Sequence, residues 1–134
     1  MYNTVLVPVD FANEEQTIQV LKKAGKLSKK KMILLHVLEV IPEFILNELP
    51  SNIRLNKESN TRKAMEALAE KAGVKASIEI RNGRSYNNIL ESAKENKADL
   101  IIINSHRPGF QDYLLGSTAA KVVRFAQCAV LVER

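Results

Sequence analysis

The chain is poor in several things at once, and each shortage removes a class of protein. It has one cysteine, Cys128, and no tryptophan among 134 residues. A single thiol cannot form an internal disulfide, so no disulfide framework is expected and a reducing compartment suits the chain. Aromatic residues make up only 5% of it, and no strand interleaves them with basic residues. That argues against the base-stacking platforms of single-stranded nucleic-acid binders. No run of about 18 apolar residues occurs, so no membrane span is expected. The opening MYNTVLVPVD lacks the basic-then-apolar layout of a signal peptide. The expectation is a cytoplasmic protein without nucleic-acid or membrane partners. There are only four prolines and five glycines, too few for a low-complexity chain.

What is present fits one ordinary globular domain, expected to span residues 1–134. The hydrophobic fraction is 46%, and a chain of this length buries enough surface to fold without staples. The net charge is +5. Most charges are spread over helical segments, and the densest cluster, Lys29-Lys30-Lys31, falls between a predicted helix and a predicted strand.

Thr4 to Val9 is a nearly continuous apolar run, as in a strand buried on both faces, and Asp10 stands at its tip. Asn13 reads as a helix N-cap with Gln16 at the capping-box position, and Val20, Leu21, Ala24 and Leu27 carry the helix to about Ser28. Lys31 opens a second buried strand, Met32 to Val37. Glu39 to Asn52 reads as a partly ordered excursion, followed by a long helix from about Leu55 to Ala72 that Gly73 stops. Val74, Ala76, Ile78 and Ile80 alternate with polar residues, which predicts an edge strand with one solvated face.

Asn82-Gly83-Arg84 reads as a turn, and Ser85 as the cap of a helix whose inner face is Tyr86, Ile89, Leu90 and Ala93. Leu100 to Ile103 is a fourth buried strand, ending in the polar turn Asn104-Ser105-His106-Arg107. Gly116-Ser117-Thr118 opens a last helix, Ser117 reading as its N-cap, with Ala119, Val122, Val123 and Ala126 inward, and Cys128 to Val132 is a final strand.

Strict alternation of strand and helix predicts an α/β fold, a parallel sheet with helices on both faces. Ligands in such sheets bind beyond the C-terminal strand ends, where the winding reverses. If the first and fourth strands are neighbours there, Asp10 and Asn104 face one crevice. Free N–H groups and the dipole of the helix opened by Gly116-Ser117-Thr118 suit an anion, and Arg107 adds a formal charge. No Gly-x4-Gly-Lys-Ser/Thr loop occurs, no carboxylate pair is placed for a metal, and no catalytic constellation is found.

These residues resemble the universal stress protein family over the whole chain. The likeness runs through Pro8-Val9-Asp10, Leu35-His36-Val37, the Gly83 turn with Ile89-Leu90, and Ala98-Asp99-Leu100-Ile101. Its most specific parts are Leu114-Leu115-Gly116-Ser117-Thr118-Ala119, Val122-Val123-Arg124 and Cys128 to Val132. The resemblance implies a single-domain open five-stranded parallel sheet, ordered 3-2-1-4-5, with two helices on each face. It belongs with the adenine-nucleotide alpha-hydrolase-like folds.

Nucleotide-binding members carry Gly-x2-Gly-x9-Gly-Ser/Thr. Here Asn104 and Arg107 stand at the first two glycine positions, and only eight residues, Pro108 to Leu115, precede the intact Gly116-Ser117. The Ser-His-Arg-Pro loop is similar to that of an ATP-binding bacterial branch. Carried over by position, Pro8, Val9 and Asp10 would line the adenine and ribose, Val37 would present its backbone to adenine, and Gly83 would border the ribose. Asn104, Ser105, His106 and Arg107 would surround the phosphates, and Gly116, Ser117 and Thr118 would bind them at the helix start.

The implied function is ATP-dependent regulation in a stress response, with Mg2+ accompanying ATP and at most slow hydrolysis. The implied assembly is a homodimer through the last strand, Ala129 to Val132, with room for an unidentified protein partner. Loss of both early glycines keeps a second reading open, a nucleotide-free interaction module working through its dimer and helical surfaces. A small nucleotidyl-transfer enzyme is disfavoured, because Phe11-Ala12-Asn13-Glu14-Glu15 after the first strand is acidic and lacks glycine.

Overall fold

The computed structural model describes residues 1–38, 51–105 and 116–133. Their elements are β1 (Tyr2–Pro8), α1 (Glu14–Leu27), β2 (Ser28–Leu38), α2 (Ser51–Ala72), β3 (Ser77–Asn82), α3 (Ser85–Glu95), β4 (Leu100–Asn104), α4 (Ser117–Phe125) and β5 (Ala129–Glu133). The five strands form one parallel sheet in the order β3-β2-β1-β4-β5, as expected. Among the described residues no helix is long and apolar enough to cross a membrane.

The unbroken apolar runs follow from the pleat. Successive side chains point to opposite faces, so a strand covered on both sides must be apolar at every position. Val5 and Val7 of β1, Met32 and Leu34 of β2, and Leu100 and Ile102 of β4 pack with Val20, Leu21 and Ala24 of α1 and Met65, Leu68 and Ala69 of α2. The alternate residues, Leu6, Ile33, Leu35, Ile101 and Ile103, pack with Ile89 and Ala93 of α3 and Ala119 and Val122 of α4. Two helices therefore cover each face.

Several local expectations are corrected. β2 begins at Ser28, so Lys29-Lys30-Lys31 lie inside a strand; Ser28 both caps α1, donating its N–H to the Ala24 carbonyl, and opens the sheet. α2 starts at Ser51 rather than near Leu55. The excursion expected from Glu39 lies outside the described residues up to residue 50. The caps of α3 and α4 are Arg84 and Gly116, one residue earlier than Ser85 and Ser117, and neither supplies a side-chain cap. Val123 is turned outward at 45% exposure, beside Phe125 at 54%. A nine-residue helix buries only the narrow stripe of Ala119 and Val122.

The polar face of β3 is not simply solvated. Ser92, which is fully buried, donates its hydroxyl to Glu79 at 2.9 Å, and Asn96 donates to the same carboxylate at 3.1 Å. Arg81 pairs with Glu79 and, at 2.6 Å, with Glu95. Its hydrogen bond to Glu95 raises the Arg81 pKa and lowers that of Glu95. A helix laid over a polar strand face needs polar residues of its own there, or buried groups go unpaired. Gly73 ends α2 as expected: at φ +69° it reaches the left-handed region cheaply, and Val74 N–H bonds to the Ala69 carbonyl.

The sheet's centre is clipped at its lower end by Asp99. Its two carboxylate oxygens accept the consecutive N–H groups of Asn3 and Thr4, both at 2.9 Å, while its own N–H donates to the Thr4 carbonyl. Those two donors hold the Asp99 carboxyl below its ordinary pKa. A carboxylate whose folded pKa is depressed contributes stability above its unfolded pKa, near pH 4. That contribution is lost as pH falls through the lower folded value. Denaturant unfolding measured from pH 7 downward is therefore expected to give Asp99→Asn lower stability at pH 7 and a shallower loss on acidification than the parent chain.

Candidate functional site

At the C-terminal ends of the strands the sheet opens into a cleft of about 670 Å³, within the range of small-molecule sites. β1 and β4 pair at only Val5–Leu100 and Leu6–Ile101. Beyond that they part. Val9 N–H turns to the Leu35 carbonyl of β2, while Asn104 lies in register with Glu133 of β5 and Ser105 N–H bonds to the Glu133 carbonyl. The crevice is the gap this parting leaves, the position expected at a reversal of winding.

Pro8, Val9, Asp10, Val37, Asn104, Ser105, Gly116, Ser117 and Thr118 all line this one cleft. Gly83 is not part of its lining; it sits beside the end of β2, donating its N–H to the Leu38 carbonyl. Its φ of +127° is the positive-φ turn expected of it, and a Cβ there would meet the Asn88 amide at 2.9 Å. His106 and Arg107 lie outside the described residues.

The local chemistry differs from residue to residue. One Asp10 oxygen accepts the Ala12 N–H at 3.0 Å, an Asx turn that sets the path into α1. Asn13 caps α1 through the Gln16 N–H, but the Gln16 side chain does not close a capping box. It donates instead to the Asn104 side-chain oxygen at 3.1 Å, tying α1 to the tip of β4. The buried Ser105 hydroxyl donates to the Glu133 carbonyl at 3.1 Å, so it serves the β4–β5 junction. Cys128 has its thiol pKa pushed up by burial, which suits a small hydrophobe more than a reactive thiol.

The start of α4 is the strongest anion feature. Gly116 offers no side chain, the first turn holds no acidic residue, and the N–H groups of that turn carry the positive end of the helix dipole. Sequence reading missed three contributors. Lys57 and Thr61 come from α2, a helix remote in sequence from every other lining segment. Phe11, 38% exposed at φ +64°, holds a backbone conformation that costs a non-glycine residue about 1–2 kcal/mol. Its ring meets the His36 imidazole edge-on, with centroids 4.8 Å apart. His36 lines the cleft as well as being half-buried. Among the described residues no three His, Cys, Asp or Glu side chains gather to hold a metal; Asp10 is the carboxylate in the cleft lining.

The model of the universal stress protein family matches residues 1–134. Universal stress protein G of Escherichia coli O157:H7 is 30% identical over 142 residues, covering 100% of both chains. The solved structure of universal stress protein UspA from Lactobacillus plantarum superposes with a TM-score of 0.79 at 22% identity, over 99% of this chain and 98% of that one. A universal stress protein from Archaeoglobus fulgidus, solved in complex with dAMP, gives 0.69 at 18% identity, over 99% and 98%. At these identities the two structures speak to the fold.

His36 Nδ1 lies 2.7 Å from the Val9 carbonyl oxygen. A carbonyl only accepts, so the neutral ring carries its proton on Nδ1 and presents a bare Nε2. Long-range proton–nitrogen NMR spectra are expected to show this tautomer, and the Nε2–H form would contradict the contact. His36→Leu, which removes the donor, is expected to cost about 1–3 kcal/mol in denaturant unfolding.

Proposed function

The chain belongs to the universal stress protein family, and from that premise we propose that its cleft binds ATP together with Mg2+. The protein is then a cytoplasmic regulator in which bound nucleotide tunes conformation or partner choice. The observation that carries the reading is the α4 N-terminus, whose cap residue Gly116 has no side chain and whose first turn holds no acid, opening on the same cleft as Lys57. Such a helix start suits phosphate groups. Gly116, Ser117 and Thr118 hold them, with Asn104, Ser105, His106 and Arg107 around them. Pro8, Val9, Asp10 and Val37 line the base and ribose. The dAMP held by the Archaeoglobus fulgidus protein supports an adenine nucleotide as the ligand class on this fold. Regulation requires ATP to bind two conformations of the protein unequally.

The second half of the proposal is a homodimer through Ala129 to Val132. β5 is an edge of the sheet, its Val130, Leu131 and Val132 only half-buried. An apolar edge of this kind invites pairing with its own copy. Light scattering at micromolar concentration is expected to return twice the chain mass, and a monomer there would remove this part of the proposal.

The nucleotide reading is tested by thermal unfolding with Mg2+ and ATP, ADP, AMP or GTP at about a hundred times Kd, where binding adds about 2.7 kcal/mol. That is a rise of several degrees for a domain of this size. The rise is expected with ATP, smaller with GTP, and lost in Ser117→Asp, which sets a like charge where a phosphate would sit. No rise with any nucleotide, in protein free of copurified ligand, would favour the nucleotide-free interaction module.

A further inference from the structure

A second cleft, of about 570 Å³, lies at the opposite pole, where α1 and α2 end and β2 begins. Five lysines line it: Lys22, Lys26, Lys29, Lys30 and Lys75. That equals the chain's whole excess of positive charge, +5. The lining holds no acidic residue, no arginine and no aromatic ring. None of the five is in an ion pair among the described residues, whereas Lys23 and Lys71, next in sequence to lining residues, pair with Glu133 and Glu14.

Two features show that the concavity is built by the fold. The β1–β2 ladder shifts register between Tyr2–Ser28 and Thr4–Lys31, so β2 carries one extra residue there. This is a bulge, which bends the strand locally, and it falls on Lys29-Lys30. Gly25 lets α1 come down on Val74; a Cβ at that position would meet Val74 Cγ1 at 2.9 Å. Lysines near helix C-termini also offset the negative end of the dipole. That accounts for Lys26 in the last turn of α1 and leaves Lys29, Lys30 and Lys75, which follow the helices, without such a role.

We propose that this lysine cleft binds a compact, multiply charged phosphate compound, the class represented by short inorganic polyphosphate. Ammonium groups on flexible stems act as point charges for phosphate, and five in one concavity match an ion of several charges better than a lone phosphate. The lack of aromatic rings removes the stacking that single-stranded nucleic acid uses. Concavity disfavours a flat bilayer, and none of the exposed large hydrophobic residues lines the cleft. The inference is independent of the nucleotide cleft, which lies beyond the other ends of the strands.

The probe is inorganic tripolyphosphate, followed by backbone amide NMR on the whole chain, with Ser117→Asp as background so that the α4 site is blocked. The amides of Lys26 to Met32 and Gly73 to Lys75 are expected to move on titration. Affinity should fall several-fold from roughly 50 to 200 mM salt, as salt screens the attraction between exposed lysines and phosphate. The triple variant Lys29→Gln, Lys30→Gln, Lys75→Gln should bind at least about tenfold more weakly, since phosphate neutralisation dominates such binding. Without ligand it should melt no lower than the parent, since all three changes are at exposed side chains and relieve like-charge repulsion, and its amide spectrum should match the parent away from the substituted positions.

Three results would overturn the proposal. One is movement confined to amides near Asp10 and Ser117. Another is orthophosphate moving the lysine-cleft amides as strongly as tripolyphosphate. The third is an oligothymidylate of equal charge moving them at lower concentration, which would make the cleft a nucleic-acid surface.

Discussion

The structure turns on how briefly β1 and β4 pair. Two residue pairs, Val5–Leu100 and Leu6–Ile101, join the two halves of the sheet at its centre, and the Asp99 clip to Asn3 and Thr4 fixes where that contact begins. Every backbone group beyond it must find a partner elsewhere. Val9 finds Leu35 on one side, and Ser105 finds Glu133 on the other. The candidate site is the consequence: two strand ends drawn apart by their outer neighbours leave a gap, and α1 and α4 begin at its rim. A longer β1–β4 ladder would have closed it.

The gap is bridged by side chains, and this bears on the absent glycines. A glycine at position 104 would let phosphate approach the backbone, as in the family's nucleotide motif. Asn104 instead offers a side-chain oxygen, and Gln16 donates to it from the first turn of α1. The β4 tip is thereby tied to α1, and the Ser105 hydroxyl is tied to β5. On the proposed reading, phosphate rests less on the β4 tip than on the α4 start and on Lys57.

How much of this was legible in the sequence follows from which physics is local. The strands were legible because burial on both faces leaves an apolar run, and their order came with the family resemblance. Crevice residues at strand tips, such as Asp10 and Asn104, were legible from the reversal rule. Caps were misplaced by one residue at Ser85 and Ser117, because a serine at the first helical position looks the same in sequence as one at the cap. Lys57 and Thr61 left no signal, since only tertiary packing brings α2 to the cleft. The Ser92–Glu79 contact was hidden for a similar reason: a polar residue on the strand face reads as solvated unless the polar residues of the covering helix are matched to it. Phe11 was hidden because its positive φ is imposed by the Asp10 turn, and nothing in an aromatic residue announces that conformation.

The charge distribution carries the last step. A parallel sheet gathers helix starts at one pole and helix ends at the other, so the dipoles alone make the first attractive to anions and the second repellent to them. In this chain the second pole is overlaid with five lysines, more than the ends of α1 and α2 need. Lys29 and Lys30 stand on a bulge of β2, where the strand has run past the start of β3 and both side chains are exposed. Residues there were free to be anything soluble, and acidic or neutral ones would have met the requirement equally well. Clustering one sign around a concavity carries a self-repulsion that scattering the same lysines would have relieved. A fold that keeps that repulsion has an arrangement whose electrostatics improve when an anion enters, and this asymmetry, more than the number of lysines, marks the second pole as a binding surface.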